Sequence, residues 1–130
     1  MRLEAELILA LPASEAAVRM ARTASRCVEA LLPEPRAHAL ELLVSELVTN
    51  AVVHPSDQAL NRISFELVVF DDLLRVEIQD RGFGFTPPRL PSPGEGTADG
   101  WGLYLVDELA DRWGVRRGRG GIWFELLRPR

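Results

Sequence analysis

Three polar residues recur four positions apart in the run Ser45 to His54, SELVTNAVVH: Glu46, Asn50 and His54. A carboxylate can accept a proton, an amide oxygen can ligate a hard cation, and an imidazole can do acid–base work or bind a metal. At 3.6 residues per turn the three fall along one edge of a helix, beside the apolar stripe of Leu40, Leu43, Val44, Leu47 and Ala51. An amide brought against that stripe needs a partner, because burying it unpaired costs about 1–3 kcal/mol. Spacing alone leaves two readings open: the polar margin of a buried helix, or a cation ligand beside a reactive carboxylate.

Two glycine-bearing stretches could face such a helix. Asp80-Arg81-Gly82-Phe83-Gly84-Phe85 follows an apolar run, and its glycines permit close approach of another group to the backbone. A carboxylate at that point can accept a hydrogen bond from a ligand amino group, or cap its own turn. Asp99-Gly100-Trp101-Gly102-Leu103 precedes a helical pattern, and free N–H groups at a helix start bind anions such as phosphate. Each stretch is a weak signal alone. A dinucleotide-binding reading of the second fails, since no strand leads directly into it and no βαβ unit follows.

The elements that must carry these residues follow from periodicity and breakers. Arg2 to Leu11 suits a first strand ended by Pro12, and Ser14 is a plausible N-cap for a helix running to about Leu32. Pro33 and Pro35 break that helix, and a second spans about Arg36 to His54 before Pro55. Arg62 to Phe70 and Leu73 to Gln79 read as an antiparallel hairpin around Asp71-Asp72. The stretch from Asp80 to Gly102 holds six of the chain's ten glycines and four of its nine prolines, the composition of a functional or disordered loop. Leu103 to about Trp113 reads helical, GVRRGRGG as a turn, and Ile122 to Leu127 as a last strand. The order β-α-α-β-β-loop-α-β predicts an α+β two-layer sandwich, a mixed but mainly antiparallel sheet covered on one face by three helices.

At 130 residues, the chain fits one domain with one core. Its formal charge of -4 and pI of about 5.2 argue against a general nucleic-acid binder. The arginines of RRGRG (Arg116 to Gly120) suit a solvated surface. Every basic residue is Arg, so a phosphate site must use backbone N–H groups, Arg or a metal. Cys27 is the only cysteine, which excludes an internal disulfide and a cysteine-cluster metal site. No window approaches 18 apolar residues and no signal-peptide pattern opens the sequence, so the cytoplasm is the expected compartment and no membrane contact is expected.

Taken together, Asn on a helix, D-x-G-x-G after a hairpin, a Gly/Pro-rich lid at about 85–99 and G-x-G at a helix start resemble the GHKL ATPase/kinase superfamily (the Bergerat fold). Within it, VSELVTNAVVH, VEIQDRGFGF, GLYLVDELADRWGV and WFEL are similar to the anti-sigma-factor serine kinases of the actinobacterial type. The resemblance covers Arg2 to Leu127. It implies ATP and Mg²⁺ as cofactors, with Asn50 ligating the Mg²⁺ held by the phosphates and Asp80 bonding the adenine amino group. It implies that Gly82 and Gly84 shape the adenine wall, and that Gly100, Gly102 and Leu103 meet phosphates through the backbone. Glu46 matches the general base, while His54 fits a packed helix-end residue better than a catalyst.

The implied activity is serine/threonine phosphorylation of an anti-anti-sigma (STAS-domain) partner, with a sigma factor as a second partner and a homodimer as an option. Three departures stand out: a lid whose only basic residue is Arg89, Ile122 where relatives carry Thr, and Pro55 after His54. The lid and Ile122 favour, as the alternative, a non-catalytic nucleotide-sensing module that binds its partner. A two-component histidine kinase would need a helical dimerisation region for which this stretch has no room.

Overall fold

A computed structural model describes residues 1–53, 62–80, 101–116 and 121–129. Its order is β1 (Leu3–Pro12), α1 (Glu15–Arg26), a 3₁₀ turn (Glu29–Leu31), α2 (Glu34–Val53), β2 (Arg62–Phe70), β3 (Leu73–Asp80), α3 (Trp101–Leu109), β4 (Arg112–Arg116) and β5 (Gly121–Leu127). The strands form one sheet ordered β1-β2-β3-β5-β4, and every described pairing is antiparallel. The expected α+β sandwich is therefore the observed architecture.

Period-two alternation decides which face of the sheet meets the helices. On β2, Ile63, Phe65, Leu67 and Val69 are buried while Ser64, Glu66, Val68 and Phe70 between them are half-exposed. Leu74, Val76 and Ile78 of β3 and Ile122, Phe124 and Leu126 of β5 continue the same inner face. Phe65 and Phe124 are completely buried, each contributing about 1.5–3 kcal/mol of transfer free energy. On the outer face, the Arg75 guanidinium lies 4.6 Å from the Trp123 ring centroid. Gly114 packs beneath the same indole so closely that a Cβ there would lie 2.8 Å from it.

α2 is the central helix. Its buried stripe of Leu40, Leu43, Val44, Leu47, Val48 and Ala51 faces the sheet, and it packs against β3 and β5 below and against α1 and α3 on its flanks. α1 presents small buried residues, Ala17, Ala21, Ala24 and Ser25, so its axis can approach α2 closely.

Several boundaries differ from expectation: α2 opens at Glu34, with Pro35 inside its first turn where a proline is tolerated, and α3 opens at Trp101 rather than Leu103. α1 ends at Arg26, and Val28 (φ -120) starts a tighter 3₁₀ turn that brings Leu32 into the core. Ser14 occupies the N-cap in extended conformation, but its side chain makes no cap bond. The third helix stops at Leu109 rather than Trp113, because Asp111 N–H donates to the Glu125 carbonyl and the chain joins the sheet as β4. Trp113 then pairs with Phe124 and Val115 with Ile122.

Candidate functional site

Glu46 and Asn50 sit one turn apart on α2, both half-buried, at the margin of the stripe that faces the sheet. Asn50 lies between Leu47 and Ala51, which are 5% and 6% exposed, yet no hydrogen bond to its amide comes from any described residue. The same holds for the Glu46 carboxylate. Half-buried polar groups with no partner among the described residues are ones a ligand can satisfy.

Asp80 closes β3, its backbone in register with Ile63 of β2; its side chain lies outside what is described. Gly102 and Leu103 fall in the first turn of α3, which begins at Trp101. The first four N–H groups of a helix have no partner within it, so the backbone of this turn offers donors to an anion. α2 touches both β3 and α3, so Asp80, and Gly102 and Leu103, stand on two elements that each pack against the helix carrying Glu46 and Asn50. Gly82, Gly84, Gly100, His54 and the lid at 85–99 lie outside the described residues, as do Pro55 and Arg89.

The donor chemistry suits a magnesium nucleotide. Mg²⁺ takes oxygen ligands, dehydrates reluctantly and uses one or two protein groups alongside phosphates and water. The Asn50 amide oxygen has that chemistry and is uncommitted among the described residues, and a helix start supplies N–H donors for phosphate. Ile122 is 7% exposed and paired with Ile78 and Val115, so the position holds core volume with no hydroxyl.

Two polar clamps around α2 escaped the sequence reading. Asp111, just past α3, accepts two bonds from Arg36 near the start of α2, Nε to Oδ2 at 2.9 Å and Nη2 to Oδ1 at 3.1 Å. Its Oδ2 also accepts the Leu127 N–H at 2.8 Å. The Arg36 hydrogen bond holds the Asp111 carboxyl below its usual range, the Leu127 N–H and the Arg36 charge adding to it against partial burial. On the other flank, Arg22 of α1 donates from Nε to Ser45 Oγ at 2.7 Å. Neither pair leaves a signal in the sequence, since the partners are separated by 75 and 23 residues.

Residues 9–126 match the model of a family described as the histidine kinase-like ATPase domain. Among solved structures, the chain is similar to the RsbU and RsbW domains of Rv1364c from Mycobacterium tuberculosis, at 22% identity and a TM-score of 0.63. The likeness covers 95% of this chain and 31% of that one. A search of curated proteins gave no match.

Proposed function

The chain belongs to the histidine kinase-like ATPase domain family, and from that premise we propose that it is a Mg·ATP-binding serine/threonine protein kinase acting as a cytoplasmic anti-sigma factor. Its substrate in this reading is an anti-anti-sigma partner of the STAS type, and a sigma factor is its second partner. The observation that carries the reading is the order of the motifs within the match: Glu46, Asn50, Asp80, Gly82, Gly84, Gly100, Gly102 and Leu103 all fall inside residues 9–126. The likeness to the Rv1364c domains supports the fold alone. The anti-sigma assignment rests on the phrases VSELVTNAVVH, VEIQDRGFGF and GLYLVDELADRWGV, and the same resemblance supports a homodimer.

Bound Mg·ATP supplies the transferable phosphoryl group and the cation that neutralises its charge. Asn50 would hold the cation through its amide oxygen, and Asp80 would orient the adenine by accepting from its amino group. Gly82 and Gly84 would leave room for the base, while the N–H groups of Gly100, Gly102 and Leu103 would bond phosphate oxygens. Glu46, one turn before Asn50, would take the proton of the attacking serine hydroxyl.

A second reading, a nucleotide-sensing module without transfer activity, is favoured by Ile122, whose apolar side chain fills the core where relatives carry a hydroxyl. Titration of ATP with and without Mg²⁺ tests the shared premise: Asn50→Ala removes the gain in affinity that Mg²⁺ confers. Full retention of that gain would count decisively against the site. Incubation with ATP and a cognate STAS partner then separates the two readings, through phosphoserine that is lost in Glu46→Ala.

A further inference from the structure

Each member of the Glu46–Asn50 pair follows a hydroxyl residue, Ser45 before Glu46 and Thr49 before Asn50. Both hydroxyls bond back onto α2, Ser45 Oγ to the Glu41 carbonyl at 2.8 Å and Thr49 Oγ1 to the Ser45 carbonyl at 2.6 Å. Back-bonds of this kind compete with the helical ladder and bend a helix locally. A hydroxyl has one proton, and that of Ser45 is directed at Glu41. Its lone pairs are left to accept from Arg22, whose Nε donates at 2.7 Å. The result is a directed chain from α1 into the backbone of α2: Arg22 to Ser45, Ser45 to the Glu41 carbonyl. Ser45 itself is 8% exposed, so water competes weakly for the bond.

We propose that Arg22 is a positioning residue for the Glu46–Asn50 stripe. By holding Ser45 it fixes the rotation and local bend of α2 at the turn where the stripe begins, and thereby where the two polar side chains point. The proposal rests on the ATP-site reading above. Its leverage is geometric: helical side chains extend about 5–6 Å from the axis, so a rotation of about 10° displaces their tips by about 1 Å. A working constellation tolerates about 0.5 Å and 10–20°. The adenine and phosphate walls stand on β3 and α3, which Arg22 does not hold, so its loss reaches the cation ligand and spares the rest of the nucleotide.

The test is ATP affinity measured with and without Mg²⁺ for the full chain, together with the thermal midpoint of each variant. Arg22→Ala is expected to keep Mg²⁺-free ATP affinity within about twofold and to cut the Mg²⁺-dependent gain about tenfold. Ser45→Ala is expected to do the same, and the double variant to be no worse than either alone. Arg22→Lys, which still presents a donor, is expected to recover much of the gain. The proposal is overturned if Arg22→Ala keeps the full gain, if the two single effects add, or if ATP affinity falls equally with and without Mg²⁺. A wild-type chain that binds no ATP overturns the site reading itself, and the positioning role with it. Wild-type binding with an indifferent Arg22→Ala removes the positioning role alone. Should Arg22→Ala not fold, Ser45→Ala and Arg22→Lys decide by the same criteria.

Discussion

Removing the Asp111 carboxylate should destabilise the domain by an amount that its three bonds define. Asp111→Ala deletes a bidentate pair with Arg36 and an acceptor for the Leu127 N–H. The paired side chains are 33% and 24% exposed, so the ion pair is discounted toward the surface value of about 1 kcal/mol. The bond from Leu127 N–H to a charged oxygen adds about 1.5 kcal/mol, for a total of about 2–3 kcal/mol. In a chain of 130 residues the unfolding entropy is about 0.27 kcal/mol per kelvin, so the thermal midpoint should fall by about 7–11 °C. Asp111→Asn keeps one acceptor and loses the charge, and should cost roughly half as much.

The pH dependence of that difference has a definite sign. The folded carboxyl sits below its unfolded value of 3.8, held down first by the Arg36 hydrogen bond. Its contribution is therefore fully present above that value and is lost as pH falls through the lower folded one. Urea melts of wild type and Asp111→Asn should diverge most above pH 5 and draw together below pH 4. A loss under about 0.5 kcal/mol for Asp111→Ala at pH 7 would refute the reasoning, as would a wild-type advantage over Asp111→Asn that does not shrink in acid.

Three further outcomes follow from the sheet. Glu66 lies directly opposite Glu77 on the outer face, and its carboxyl is raised above 4.5 by burial, by its hydrogen bond with Glu6 and by the Glu77 and Glu6 charges. Ionising it costs more in the folded than in the unfolded chain, so Glu66→Gln should stabilise by about 0.5 kcal/mol at pH 7 and be neutral below pH 4.5, as chemical melts at the two pH values would show. Phe65→Ala opens a cavity at a completely buried site and should cost about 3–5 kcal/mol in urea melts. Trp123→Ala removes the ring under Arg75 and should cost, beyond the lost burial, a coupling of about 0.5–1 kcal/mol with Arg75→Ala in a double-mutant cycle.

The sheet's inner face and α2 were legible because their periods are intact: β2 alternates along its whole length, and the α2 stripe recurs at helical spacing. β4 was not. Trp113 falls on the apolar face of the preceding helical pattern, and RWGVR contains a glycine and two arginines, so local propensity argues against a strand. Register with β5 overrides it, placing Trp113 on Phe124 and Val115 on Ile122. In the site, Glu46 and Asn50 were visible as types at a spacing, but the spacing fits a helix margin equally well. What singled them out was the order of the glycine motifs downstream, a property of the whole chain.

The long-range clamps carry a different lesson about α2. Its floor is fixed by apolar contacts, which tolerate sliding and small rotations because dispersion is non-directional. Glu46 and Asn50 project from the edge of that floor, where a few degrees of roll matter most. Directional bonds resist roll, and among the described residues α2 is hydrogen-bonded by side chains on both flanks: Arg36 to Asp111 toward α3, and Arg22 of α1 to Ser45. They pull at different heights on the helix, the first near its start and the second one residue before Glu46. The clamp beside Glu46 should therefore govern the stripe's orientation, and the clamp at the helix start should govern stability. Asp111→Ala is accordingly expected to lower the melting midpoint while leaving the Mg²⁺-dependent gain in ATP affinity within about twofold. Arg22→Ala should show the opposite balance. A pair of variants that moved both quantities in parallel would mean that α2 responds as one rigid body, and the division of labour between the clamps would not stand.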